Sequence, residues 1–364
     1  MDYKIPEEGE ILQKSARDFL TRECTKKHVR EMEKDGKGYS PDLWNKMAQM
    51  GWLGLMLPDE YGGADAGYLE LVLLTEEMGR ALLPAPFIDT TVAALTILQY
   101  GNENQKKNFL PDVAEGKSII SLAIESAGNS GVHATEAHGS WTLNGNKLFV
   151  NYANAADWFL CMAESKHGRI LCLVDATSDG INTTPLENLA AAKEFEVDFK
   201  DVKVTLVNIL GKPEETSKML AKIEEWGALA YSGLISGYIQ QIMEMSVGYA
   251  KQRVQFNRLI GTFQAVQHLC ANMLIDIDSV KLLTYEAACN LKAGRPVNTE
   301  VNMAKAWASD AARRVSLLGI KVHGGLGITV DYDMGLYFRR AKVAELAFGD
   351  GDYHRKVHAA QLGL

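Results

Sequence analysis

Between about residues 117 and 212 the apolar residues of this 364-residue chain are spaced as in strands, and on either side as in helices. The middle block holds short runs rich in Val, Ile, Phe and Thr, at 118–124, 140–143, 147–150, 158–162, 170–174 and 195–207. Asn144-Gly145 between two of these runs is the signature of a two-residue hairpin turn. Short strands at this spacing predict a small antiparallel barrel or sandwich. Upstream, Ile11, Leu12, Ala16, Phe19 and Leu20 recur at helical spacing, and Ser40-Pro41 reads as a cap with a first-turn proline. A further helix is expected from Leu69 to Leu83, stopped by Pro84 and Pro86. Downstream, helices are expected at 216–256, 262–294 and 300–322, with two shorter ones after Tyr332. The expected class is α+β without βαβ alternation, in three domains: helical 1–116, β 117–212 and a helical bundle 213–364.

Composition excludes several functions. The net charge of −8 argues against a nucleic-acid partner held through phosphates. No window of 18 apolar residues predicts a membrane span, and the acid-rich start MDYKIPEEGE resembles no signal peptide. Five scattered cysteines without a CxxC pair read as buried free thiols in a reducing compartment, hence a soluble cytoplasmic protein. His354 and His358 have HxxxH spacing, but Arg355 follows where a zinc protease has Glu. They read as two solvated helix histidines, and no metal is expected. The run His323-Gly324-Gly325-Leu326-Gly327 follows a helix, so it fails as a dinucleotide fingerprint. It reads as a helix stop or as backbone approaching a phosphate.

Several segments carry a family resemblance. Gly51-Trp52-Leu53-Gly54 with Leu57-Pro58-Asp59-Glu60-Tyr61-Gly62-Gly63 resembles the N-terminal signature of the FAD-dependent acyl-CoA dehydrogenases. So do Tyr249, Arg253, Phe256 and Phe263-Gln264, and Val322-His323-Gly324-Gly325 leading to Arg339-Arg340-Ala341-Lys342. The resemblance spans the chain. It implies a helical domain, an antiparallel β-barrel and a four-helix bundle, with FAD as cofactor and an acyl-CoA thioester as substrate. It also implies an electron-transferring flavoprotein as acceptor and a homotetramer. By this resemblance Ile124, Ser130, Phe149 and Asn151 lie where the family contacts the flavin ring, Ser130 also touching substrate. Arg253, Phe256, Gln264, Lys321, Gly324 and Gly325 match positions that hold the FAD pyrophosphate and adenine across a subunit interface. Ile124 and Asn151 stand where threonines are usual, Phe149 where tryptophan is, and Lys321 where glutamine is.

The departure with most consequence concerns the catalytic base. The C-terminal segment that usually carries it places Phe348 at that position, where the backbone N–H would still hold the thioester carbonyl. The alternative position on an earlier helix is Gly227, with Glu225 about 200° away around the helix. Asp89, ahead of the expected helix Thr90–Leu98, is the candidate substitute; it reads equally as the N-cap of that helix. Asp350 and Asp352 are rivals near Phe348.

A base displaced toward the far end of the acyl group suits a substrate that already has an α,β double bond. This resembles the alicyclic branch of the family, cyclohexene-carboxyl-CoA dehydrogenases of anaerobic aromatic metabolism. The alternatives are conventional α,β-dehydrogenation of a branched or steroid-side-chain acyl-CoA, with Asp350 or Glu225 as base, and a non-catalytic partner subunit of a heteromeric enzyme.

Overall fold

A computed structural model describes residues 5–125, 131–137, 139–293 and 298–363. Six helices come first: α1 (Glu7–Glu23), α2 (Lys26–Lys34), α3 (Pro41–Gln49), α4 (Tyr68–Ala81), α5 (Phe87–Tyr100) and α6 (Glu103–Ala114). Strands follow: β1 (Ile120–Ala123), β2 (His133–Ala137), β3 (Ser140–Asn151), β4 (Trp158–Ser165), β5 (Gly168–Asp175), β6 (Ile181–Leu186), β7 (Glu194–Thr205) and β8 (Ile209–Leu210). The chain ends with α7 (Thr216–Ala250), a hairpin of β9 (Val254–Gln255) and β10 (Arg258–Leu259), then α8 (Gln264–Lys292), α9 (Asn298–His323), α10 (Met334–Leu346) and α11 (Gly351–Gln361). No helix of the described residues is long and apolar enough to cross a membrane.

Two compact units share these elements. One comprises residues up to Arg30, Gly67–Leu83 and Gly227–Leu364; the other comprises Glu31–Ala66 and Pro84–Trp226. In the second unit the strands follow the order β6-β7-β3-β2-β4-β5-β8, with β1 on β4. Pairing is antiparallel except that β1 and β2 each run parallel to β4. The core between the strands includes Leu143, Phe159, Cys161, Cys172, Val197 and Phe199, all buried. In the first unit Leu69, Val72 and Leu73 of α4 pack with Ala228 and Leu229 of α7, Ala287 and Ala288 of α8, and Val301 and Ala304 of α9.

Three local expectations are corrected. Asn144-Gly145 makes no hairpin: β3 runs through it, and the register with β7 shifts between Leu143 and Gly145, which is a bulge. The Asn144 side chain is occupied across the ladder, its Nδ2 donating to Asp201 Oδ1 and its Oδ1 accepting from Asp201 N. Gly145 has φ +129°, and a Cβ there would lie 2.0 Å from the Gly131 carbonyl oxygen. The helix expected over 216–256 stops at Ala250, and the next residues form the β9–β10 hairpin, turned by Phe256 and Asn257 at φ +51° and +62°. The cysteines are free but not uniformly buried: Cys289 is exposed and Cys270 half-buried.

Candidate functional site

In the second unit, helix α5 docks on the free edge of β1. Ile120 and Leu122 are two apart, so their N–H groups leave the same strand edge. Ile120 N–H donates to Thr90 Oγ1 at 3.3 Å, and the Thr90 hydroxyl donates back to the Ile120 carbonyl. Leu122 N–H donates to the Asp89 carboxylate. From the other side Asn151 Nδ2, at the end of β3, donates to Asp89 Oδ2 at 3.3 Å.

Asp89 is not a cap. The helix starts three residues earlier than expected, with Pro86 at the cap position and no capping side chain. Asp89 therefore sits inside the first turn with its carboxylate turned to β1 and β3. It is 6% exposed. Burial is the dominant influence and pushes the carboxyl up to about 7, against the two hydrogen bonds that favour the anion; Glu125 and Glu194 push in the same direction as burial.

The other acids are engaged elsewhere. Glu225 is salt-bridged to Lys222 at 2.6 Å. Asp350 caps α11 by accepting from Tyr353 N at 2.9 Å. Exposed Asp352 pairs with Arg355 at 2.6 Å, which holds its carboxyl below the usual range.

In the first unit, Phe348 and Gly227 meet. A Cβ at Gly227 would lie 2.2 Å from Phe348 Cδ1, so the ring fills the space a side chain at 227 would need. The ring also tilts against Tyr231, centroids 5.5 Å apart. Phe348 has φ +53° and Gly349 φ +90°, a left-handed turn that a phenylalanine adopts only when its surroundings fix it. Three bonds do so. Lys305 Nζ donates to the carbonyls of Glu345 at 3.0 Å and Gly349 at 2.7 Å, and His354 Nε2 donates to the Phe348 carbonyl at 2.8 Å.

Burial lowers Lys305 to about 7 and His354 to about 4. His354 is thus a buried, neutral structural ring, not the solvated helix histidine that the HxxxH spacing suggested. Lys305 was missed, although its spacing from Val301, Ala308 and Ala312 sets it on the buried stripe of α9.

The expected cofactor residues fall into two groups. In the second unit Phe149 lies within a further register shift of β3, between Lys147 and Val150, at φ +56° and 54% exposed, while Ile124 is half-buried with its carbonyl accepting from the buried Lys147 at 2.9 Å. Asn151 faces Asp89 as described, and Ser130 lies outside the described residues. In the first unit the whole β9–β10 hairpin is exposed. Phe256, at its tip, is 88% exposed, and the Arg253 guanidinium has no partner among the described residues. Gln264 is the exposed first residue of α8, and Lys321 is exposed in the last turn of α9. Gly324 has φ +62°, and neither it nor Gly325 has an atom within 4 Å of an added Cβ, leaving their backbone open. In the first unit, open glycine backbone beside a lysine, an Arg253 guanidinium without a partner among the described residues and the exposed Phe256 ring fit a large phosphate-bearing, flat-ringed cofactor.

Comparison with known proteins agrees. Residues 6–117 match the N-terminal domain of the acyl-CoA dehydrogenases and residues 225–363 their C-terminal domain. The chain is 31% identical to the mitochondrial short/branched chain specific acyl-CoA dehydrogenase of Bos taurus, over 93% of this chain and 82% of that one. It is 29% identical to an acyl-CoA dehydrogenase of Bacillus subtilis (strain 168), over 97% of each. The structure of the ChsE4-ChsE5 complex from Mycobacterium tuberculosis matches with a TM-score of 0.94 at 27% identity, covering 100% of this chain and 99% of that one. These matches define an FAD-dependent oxidoreductase acting on CH–CH bonds. The chain belongs to the acyl-CoA dehydrogenase family.

Proposed function

We propose that this protein dehydrogenates a cyclic enoyl-CoA thioester to a conjugated diene, with Asp89 as the base. The observation that carries the reading is the Asp89 carboxylate: buried, not spent on a helix cap, and titrating near neutrality. The closed contact of Phe348 with Gly227 supports it, since neither position offers a proton acceptor.

In a substrate with an α,β double bond, thioester acidity extends through that bond to the γ-carbon. Asp89 takes the γ-proton, a second ring carbon loses hydride, and the ring gains one double bond. When bound, FAD supplies the hydride acceptor. Arg253, Phe256, Gln264, Lys321, Gly324 and Gly325 would hold its pyrophosphate and adenine, and Ile124, Phe149 and Ser130 its ring. The Phe348 N–H would hold the thioester carbonyl. Reoxidation by an electron-transferring flavoprotein, assembly as a homotetramer and a cytoplasmic setting complete the proposal. Met303, Trp307 and Leu317 give α9 an exposed apolar stripe that suits subunit packing, and the five free cysteines suit a reducing compartment.

One observation favours a second reading. The similarity to a complex of two named chains, together with Phe348 over Gly227, would suit a partner subunit whose companion carries the base. Anaerobic mixing of the singly purified protein with a panel of acyl-CoA thioesters separates the two. A yellow protein bleached by cyclic enoyl-CoA supports the first. A colourless protein that needs a second polypeptide for any bleaching overturns it. Bleaching by saturated branched or steroid-side-chain thioesters alone would move the chemistry back to conventional α,β-dehydrogenation.

A further inference from the structure

Asn151 stands where the family resemblance implies a flavin contact, yet its side-chain amide points at Asp89. We infer that Asn151 is a positioning residue for Asp89, its amide fixing the orientation of the carboxylate. This rests on the reading of Asp89 as base, but the contact itself does not. Two donors from different strands converge on the carboxylate, Asn151 Nδ2 at the end of β3 and Leu122 N–H in β1.

The two donors differ in what they can fix. The Leu122 N–H is set by the β1 ladder and cannot be tuned by a side chain. Asn151 is paired with Glu194 across β3 and β7 at the bulged end of the ladder, and its amide is the adjustable donor. A donor aimed at a buried carboxylate stabilises the anion over the acid. The groups opposing it are also in place: the carboxylates of Glu125, just after β1, and Glu194, in β7, disfavour a second negative charge, as does burial. Without the amide, Asp89 would keep its proton to higher pH, and a smaller fraction would be ionised to accept the substrate proton. With it, the carboxylate titrates where a working base needs to.

The test measures Asp89 itself as well as turnover. The carboxyl stretch of Asp89, identified as the infrared band absent from Asp89→Asn, is titrated in the FAD-bound protein and in the isosteric variant Asn151→Leu. The midpoint is expected to rise by about one pH unit in Asn151→Leu, the scale of one lost hydrogen bond to a charged group. Asn151→Asp, which sets a like charge against the carboxylate, should raise it further. The acidic limb of the flavin-bleaching profile should shift by the same amount, giving about a tenfold loss below the midpoint. An unchanged infrared midpoint in Asn151→Leu overturns the inference. A shifted midpoint with an unshifted bleaching profile leaves the positioning contact intact and removes Asp89 from the base role instead.

Discussion

The Phe348 ring lies so close to Gly227 that a single methyl group on residue 227 would collide with it, at 2.2 Å from Cδ1. The two residues are 121 positions apart in sequence, and each occupies a position where the family resemblance implies a possible base. The ring is packed on the apolar cluster of α4, α7, α8 and α9. Gly227→Ala is therefore expected to destabilise the protein by about 1–3 kcal/mol through overpacking. In a Phe348→Ala background the same change should cost far less. Denaturant unfolding of the four proteins of this double-mutant cycle measures the coupling, and additive effects would show that the ring does not fill that space.

Phe348→Glu tests the vacated base position itself. A carboxyl there would be partly desolvated, so its pKa would rise toward the range of a base near neutral pH. Bleaching of the flavin by saturated acyl-CoA is expected to appear or increase, with no gain on the cyclic enoyl substrate. A folded, flavin-replete variant inert to every saturated thioester would place the family's base elsewhere.

Lys305→Met should loosen the turn that carries Phe348. It removes the Lys305 donor from the Glu345 and Gly349 carbonyls in a buried site, at a cost of about 1–3 kcal/mol. Thermal unfolding checks this, and an unchanged Tm would mean that His354 and the Ser309 hydroxyl, which donates to the Glu345 carbonyl at 3.1 Å, hold the turn without Lys305.

Much of this was legible in the sequence, and the failures have physical causes. Long helices such as α8 and α9 announce themselves by periodicity, and Ser40 caps α3 by accepting from Leu43 N, as Ser40-Pro41 suggested. Asn144-Gly145 misled because left-handed backbone serves a bulge as well as a turn, and the choice was made by Asp201 on β7. Asp89 was ambiguous for a similar reason. Its carboxylate partners, Leu122 and Asn151, lie 33 and 62 residues away, and no local pattern encodes contacts at that separation. The β9–β10 hairpin was hidden behind an apolar helix run, and its Phe256 stands exposed at the tip, edge-on to Phe263.

Arg253→Ala should weaken FAD retention and subunit assembly together. Losing a charge-assisted phosphate contact costs roughly 1.5–3 kcal/mol, a tenfold or greater rise in Kd. Flavin content after gel filtration, read with the elution volume, checks both. A variant holding full FAD at the wild-type size would remove Arg253 from the cofactor site.

The titration of Asp89 makes stability depend on pH. Its folded value of about 7 lies above the ordinary 3.8, so between about pH 4 and 7 the native state keeps a proton that the unfolded chain has lost. Stability therefore falls as pH rises through that window. Asp89→Asn removes the dependence, and its advantage over wild type should grow from near zero at pH 4 to at most about 4 kcal/mol above pH 7. Urea midpoints at both ends of the range measure it. A difference between the two proteins that is constant with pH would mean that Asp89 titrates normally.

The central claim, that Asp89 removes the proton, is tested most directly by anaerobic stopped-flow flavin bleaching of Asp89→Asn against wild type, with a cyclic enoyl-CoA substrate. Asparagine keeps an acceptor for the Leu122 N–H, so FAD content and thioester binding should be unchanged. Bleaching should slow by at least about 100-fold, the scale of a lost general base. Bleaching at the wild-type rate would contradict the claim.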